Sequence, residues 1–150
     1  MRPWPDASAE AIYSSHTLEH LSRDDGARLL RECSRVLAPG GVIRIVVPDL
    51  GVILSDYEKG DFPAVDLLER LGVFSEMPGD GRLRRLLAPY VRFPHRCMYD
   101  AHSLNEALRG AGLDARLHPP QISRIADVDA VESEERTRGS LIAEAQKDGA

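Results

Sequence analysis

Between residues 9 and 50 the apolar positions change their period twice. Residues 11–15, Ala-Ile-Tyr-Ser-Ser, are a short run of strand formers that ends in small hydroxyl side chains. Ala27, Leu29, Leu30, Cys33, Val36 and Leu37 then recur at threes and fours, the spacing of one helical face, with Asp24 and Asp25 placed to cap it. Pro39-Gly40-Gly41 is expected to end that helix, because proline cannot continue it and glycine tolerates positive φ. Residues 41–47 hold Val42, Ile43, Ile45, Val46 and Val47 around the single charge of Arg44, the pattern of a strand covered on both faces. Strand, crossover helix and buried strand predict a right-handed βαβ unit with parallel strands.

The remaining elements are arranged around that unit. Residues 2–8 are proline-rich and should run extended. Residues 16–21 fit a helical turn or a short loop. After Pro48-Asp49 a helix is predicted over 50–58 through Leu50, Ile53, Leu54 and Tyr57, and another over 62–74 through Val65, Leu68, Leu71 and Val73. Residues 78–95 change character, with Gly79 and Gly81 followed by Arg82, Arg84, Arg85 and Arg92, as in a lid or binding loop. Ser103 can cap a helix carrying Leu104, Ala107, Leu108 and Ala111 and closed by Gly110 and Gly112. Residues 113–117 are strand-like, 126–138 read as a charged and exposed connection, and 140–145 as a final strand. The pattern predicts a single domain over 1–150, without internal repeats.

Composition narrows the class of partner. A net charge of -5 argues against general binding to nucleic acid or to an anionic membrane surface, although it leaves room for a local basic site. The 2 cysteines are too few for a disulfide framework. The N-terminal residues carry no apolar signal core, and no apolar run approaches the ~18 residues needed to cross a bilayer. A cytoplasmic protein is expected.

Three blocks in order carry a resemblance: WPDASAEAIYSSHTLEHL, LAPGGVIRIVVPDL, and HRCMYDAHSLNEALRGAGL followed by SLIAEAQ. Together they resemble class I S-adenosylmethionine-dependent methyltransferases of the small type-11-like branch. The resemblance implies an α/β, Rossmann-like fold: parallel strands flanked by helices, with an antiparallel strand near the C-terminus. Residues 11–15 would match the family's fourth strand, 41–47 its fifth, and 113–117 with 140–145 the final pair. The family's glycine-rich cofactor loop and its ribose-binding acidic residue would precede residue 1, and no G-x-G-x-x-G run occurs in the chain. The sequence therefore resembles the C-terminal half of a methyltransferase, truncated by a misplaced start or a split gene. Without the earlier strands, residues 11–15 would form an exposed sheet edge, so a homodimer or a partner chain pairing there is expected.

In open α/β sheets ligands bind beyond the carboxyl ends of the strands. The resemblance then implies S-adenosylmethionine as cofactor, with Ser14, Ser15 and His16 beside its methionyl and sulfonium part and Pro3 and Trp4 near its adenine. The serines could equally just end a strand, and Trp4 could fill the core. His20 and His95 are candidate bases if a small-molecule acceptor must lose a proton. Asp49, Arg96 and Tyr99 are candidate substrate contacts, and with Arg82, Arg84, Arg85 and Arg92 they suit an anionic acceptor. Asp49 could instead cap a helix, and the arginines could form a solvated face. His16-Thr17-Leu18-Glu19-His20 also matches the H-x-x-E-H arrangement of some zinc peptidases. Asp24-Asp25-Gly26 follows so soon that any turn at 16–20 must be brief, and no metal is assigned. The sequence supports methyl transfer, with a non-catalytic methyltransferase-like module or partner subunit as the alternative.

Overall fold

The computed structural model describes residues 4–73 and 94–149. Its centre is a four-stranded sheet in the order β1-β2-β4-β3. The strands are β1 (Ala9–Ser15), β2 (Leu37–Pro48), β3 (Ala115–Leu117) and β4 (Ser140–Gln146). β1 and β2 are parallel and are joined by helix α1 (Arg23–Val36), which completes the expected βαβ unit. β4 runs antiparallel to both β2 and β3, so one reversed strand lies between two that share the direction of β1. Mixed α/β architecture with one antiparallel C-terminal strand is the fold class expected from the sequence.

The alternation of β2 sorts its side chains onto two chemically different faces. Ile43, Ile45 and Val47, with Leu141, Ala143 and Ala145 of β4, face Leu30 of α1 and Leu104 and Leu108 of helix α4 (Ala101–Arg109) in one apolar core. On the other face Arg44 is fully buried and pairs in register with Glu144. Its guanidinium donates to Glu132 Oε2 at 2.7 Å and Oε1 at 2.8 Å, to Glu144 Oε2 at 3.1 Å, and to the carbonyls of Ile122 and Pro119. The connection after β3 is thus tied down by charge as well as by apolar contact. The connection over 126–138 is exposed as expected except at Val128, Glu132 and Thr137, which are buried. Its regular parts are one 3-10 turn (Val128–Ala130) and the single-turn helix α5 (Glu134–Thr137).

Several boundaries differ for local reasons. Ser22 caps α1, its Oγ accepting from the Asp25 N–H at 3.2 Å while donating to the Asp25 carboxylate, so Asp25 is the reciprocal partner and not the cap. The α1 helix ends at Val36, before the proline, because Leu37 is already extended. Pro39-Gly40-Gly41 then forms an excursion inside β2: Ala9 pairs with Leu37 and Ala11 with Val42. Gly40 takes φ 77°, and a Cβ on Gly41 would lie 2.9 Å from the Ala38 carbonyl and 3.0 Å from that of Glu10. Lys147 closes this corner by donating from Nζ to the carbonyls of Ser34 and Leu37 at the end of α1.

Helix α2 (Leu50–Lys59) follows β2 as expected. The predicted helix over 62–74 is instead a 3-10 turn (Ala64–Asp66) and the four-residue helix α3 (Leu67–Arg70), with residue 74 outside the described residues. Gly72 at φ 67° stops it, a conformation that a helix cannot continue through. The cap of α4 is Asp100, not Ser103; the two form a reciprocal capping box, with Ser103 N donating to Asp100 Oδ1 at 2.8 Å. The arginine-rich stretch expected over 78–95 lies mostly outside the described residues.

Candidate functional site

The carboxyl ends of β1 and β2 lie side by side, since Ser15 pairs with Val46 and the His16 N–H donates to the Val46 carbonyl at 3.0 Å. Beyond them the chain turns sharply. His16 has φ 50°, a left-handed conformation that costs a non-glycine residue energy and so is held by its surroundings. A 3-10 turn (Leu18–His20) follows and buries both Leu18 and Glu19. The Ser15 hydroxyl is buried and meets no hydrogen-bond partner among the described residues, and the same holds for the Tyr13 hydroxyl two positions earlier on the same face of β1. Buried polar groups are normally paired, so Ser15 is a polar wall short of a partner.

His16 is fully engaged. Its Nε2 donates to the Arg136 carbonyl at 2.8 Å, and Nδ1 lies 3.1 Å from Glu19 Oε1. The bond to Glu19 holds its pKa above the usual histidine value, against the opposing effect of burial. Glu19 is completely buried, and its second oxygen, Oε2, has no hydrogen-bond partner among the described residues.

Around Glu19 a second chain segment closes. The Glu19 carbonyl accepts the N–H groups of Arg96 at 2.7 Å and Cys97 at 3.0 Å, so residues 95–97 are docked on the 3-10 turn. His95 donates from its backbone to the Gly72 carbonyl at 2.9 Å, and its Nδ1 lies 2.9 Å from the Leu71 carbonyl. A Cβ on residue 72 would collide with that ring, so glycine is required there for the close approach as well as for its positive φ. The rings of His20 and His95 meet edge to face with centroids 4.9 Å apart, and His20 Nδ1 lies 3.4 Å from the Pro94 carbonyl. Burial pushes the His95 pKa below the usual histidine value, which keeps the ring neutral near pH 7.

The residues singled out in the sequence therefore fall into groups. His16, His20 and His95 converge with Glu19 just past the end of β1. Ser14 and Ser15 end the strand beside them. Trp4 is elsewhere in kind: its side chain is 65% exposed, and its carbonyl accepts from Arg35. Pro3 lies outside the described residues, as do Arg82, Arg84, Arg85 and Arg92. Asp49 caps α2 by accepting from Gly51 N at 2.8 Å. Tyr99 belongs to the apolar core, where burial pushes its hydroxyl up to about 12. Arg96 is exposed and lines a shallow depression with Ser22, Arg23, Cys97 and Met98. Sequence reasoning passed over Glu19 as anything beyond a member of a peptidase-like motif. Its helix-turn position gives no signal of burial, and only the packing of residues 94–97 over it reveals that.

The order of the sheet, the βαβ unit and the reversed strand define a Rossmann-like α/β fold. Residues 1–45 match the family model described as "Methyltransferase domain". Over 47 residues the chain is 43% identical to a Mycolicibacterium smegmatis protein named "Probable S-adenosylmethionine-dependent methyltransferase", an alignment covering 31% of this chain and 18% of that protein. Among solved structures, a SAM-dependent methyltransferase from Thermotoga maritima superposes over 99% of this chain and 60% of its own, with TM-score 0.53 and 18% identity. A Haloferax volcanii chain solved as a complex with the Trm112 methyltransferase activator superposes over 99% of this chain and 58% of its own, with TM-score 0.51 and 16% identity. In its first residues and in its fold the chain is thus similar to S-adenosylmethionine-dependent methyltransferases. It spans about three fifths of those two solved chains and less than a fifth of the curated relative.

Proposed function

We propose that this chain forms one wall of an S-adenosylmethionine-dependent methyltransferase and that its single domain is the second half of such a fold. The observation that carries this reading is the match of residues 1–45, because they comprise β1, α1 and the start of β2, the elements whose carboxyl ends border the ligand crevice. The residues present fit one side of the cofactor: the buried, unpartnered Ser15 hydroxyl would be completed by a polar atom of the ligand, and Ser14 is small enough to let it pass close to the backbone. Bound S-adenosylmethionine supplies the reactive methyl group on its sulfonium centre. The chain's own contribution is alignment and exclusion of water. His16, anchored at both ring nitrogens, fixes the turn beyond β1 and so the position of Ser15. His20 and His95 lie on the acceptor side, where either could take a proton from an oxygen or nitrogen acceptor. Exposed Arg96 is placed to attract an anionic acceptor at the rim.

The partner follows from the sheet. β1 is an edge strand among the described residues and presents one row of backbone groups to a second chain. A homodimer, or a chain supplying a glycine-rich loop, would extend the sheet there. The Haloferax structure, solved with an activator, is a precedent for assembly in a relative of this fold. No described helix is long and apolar enough to cross a membrane, and both cysteines are free thiols, which suits the reducing cytoplasm.

Calorimetry with S-adenosylhomocysteine on the purified chain tests this reading. Binding is expected in a complex with a chain that supplies a glycine-rich loop and not in the monomer, because these 150 residues hold no G-x-G-x-x-G run. Tight one-to-one binding by a monomer would overturn the division into halves. Silence in every assembled form at millimolar ligand would overturn methyl transfer and leave a non-catalytic module.

A further inference from the structure

From the convergence of three side chains beyond β1 we infer a site for a divalent first-row transition-metal ion, held by Glu19, His20 and His95. One ligand atom from each lies within 4.8 Å of the others, on two chain segments about 75 residues apart in sequence. His20 Nε2 is 4.0 Å from Glu19 Oε1. Zinc ligands at about 2.0–2.1 Å from the metal stand roughly 3.3 Å apart. Closing the cluster onto an ion therefore needs only small side-chain rotations.

Three features of the surroundings make this a built site and not a chance meeting of histidines. First, Glu19 is completely buried, yet its Oε2 has no hydrogen-bond partner among the described residues. A buried carboxyl oxygen without a donor is costly, and a cation would satisfy it. Second, both imidazoles have their tautomer set from behind. A carbonyl can only accept, so Leu71 fixes the proton of His95 on Nδ1, and Pro94 does the same for His20 through a longer contact. A ring held this way by Nδ1 turns its Nε2 toward the cluster, in the manner of backbone-oriented metal histidines. Third, the scaffold is specific: Gly72 leaves room for the His95 ring, and the Glu19 carbonyl clamps residues 96 and 97. His16 completes the arrangement by holding Glu19 through Oε1, as an outer partner of the carboxyl ligand.

Two imidazoles and one carboxyl select zinc, cobalt, manganese or ferrous ions over magnesium and calcium, which prefer oxygen. Three protein ligands leave at least one position for water or for an oxygen of a bound molecule. The proposed site differs from the reading of the sequence, in which no metal is assigned, and it does not use the i, i+4 helix that H-x-x-E-H would require: the third ligand comes from residue 95, and His16 is not a ligand. It stands whether or not the chain transfers a methyl group, and with the metal bound His20 and His95 are ligands and no longer proton acceptors.

The test is equilibrium dialysis of the chelator-treated 150-residue chain against Zn2+, with Co2+ absorption as a report on coordination and Mg2+ as the comparison. One Zn2+ or Co2+ per chain is expected, with a visible cobalt spectrum, a raised Tm on loading, and no competition from equimolar Mg2+. His95→Ala and Glu19→Gln should abolish stoichiometric binding and the Tm rise, while His16→Gln should weaken binding about 10–100-fold. His102→Ala, an exposed change on α4, should leave binding intact. Should Glu19→Gln fail to fold, His95→Ala and His20→Ala decide alone, checked by circular dichroism. Absence of stoichiometric metal, preference for Mg2+, or binding that survives His95→Ala and His20→Ala would overturn the site.

Discussion

At the scale of single residues, Arg44 carries the largest energetic consequence. Sequence periodicity places it in a strand covered on both faces, where a lone arginine reads as an interruption. Its environment shows otherwise: Glu132 and Glu144 neutralise it, and two carbonyls take its remaining protons. Arg44→Ala would leave two buried carboxylates without their cation and should cost about 3–5 kcal/mol, read from the urea midpoint. The same cluster sets a response to acid. The Arg44 guanidinium holds the Glu132 carboxyl below its ordinary value of 4.5. Burial pushes Glu144 the other way, but the Ser123 hydroxyl, the Arg124 N–H and Arg44 together outweigh it. A carboxyl whose pKa is lower folded than unfolded binds fewer protons in the native state. Its contribution is whole above the unfolded value and is lost as pH falls through the folded one. Stability measured by urea is therefore expected to drop as pH is lowered below about 4.5, and Glu132→Gln should flatten that drop.

At the scale of elements, α1 and β2 depend on small features at their ends. Ser22→Ala removes the acceptor for the Asp25 N–H and should destabilise the chain by about 1 kcal/mol, seen as faster amide exchange in the first turn of α1. Gly41→Ala would push a methyl group against two backbone carbonyls and the Leu37 side chain, costing about 1–3 kcal/mol in thermal unfolding. Here the sequence was readable in kind but not in place. Proline and glycine signalled a break after α1, and the break exists. It lies inside β2 because the Gly40 N–H donates to the Lys147 carbonyl and Lys147 N–H to that of Gly41, partners more than 100 positions away. The helix expected over 62–74 failed for the opposite reason. Its apolar spacing is genuine, but Gly72 is committed to the His95 ring, and Val65 and Leu68 remain exposed instead of packing against a neighbour.

At the scale of the whole molecule, β1 leaves one side of the sheet open among the described residues. Sedimentation velocity is expected to show concentration-dependent self-association, and a strictly monomeric chain at high concentration would count against pairing through β1. The βαβ unit, the parallel pair and the serines at the carboxyl end of β1 were legible in the pattern, and the antiparallel last strand followed from the resemblance alone. Hydrophobic period and turn chemistry are local, and they act before any long-range contact forms. Burial of charge is not local. Glu19 and Glu132 look like surface residues in a linear reading, and the strand pattern that encloses Arg44 does not name its partners. Their partners arrive from residues 94–97, from the connection after β3 and from β4, so only folding could reveal them. Local pattern in the chain determined roughly where β1, α1, β2, α2, α4 and the last strands form, and that β1 and β2 run parallel. The three-dimensional packing alone decided which ionisable groups lose their water, and with that where chemistry can occur.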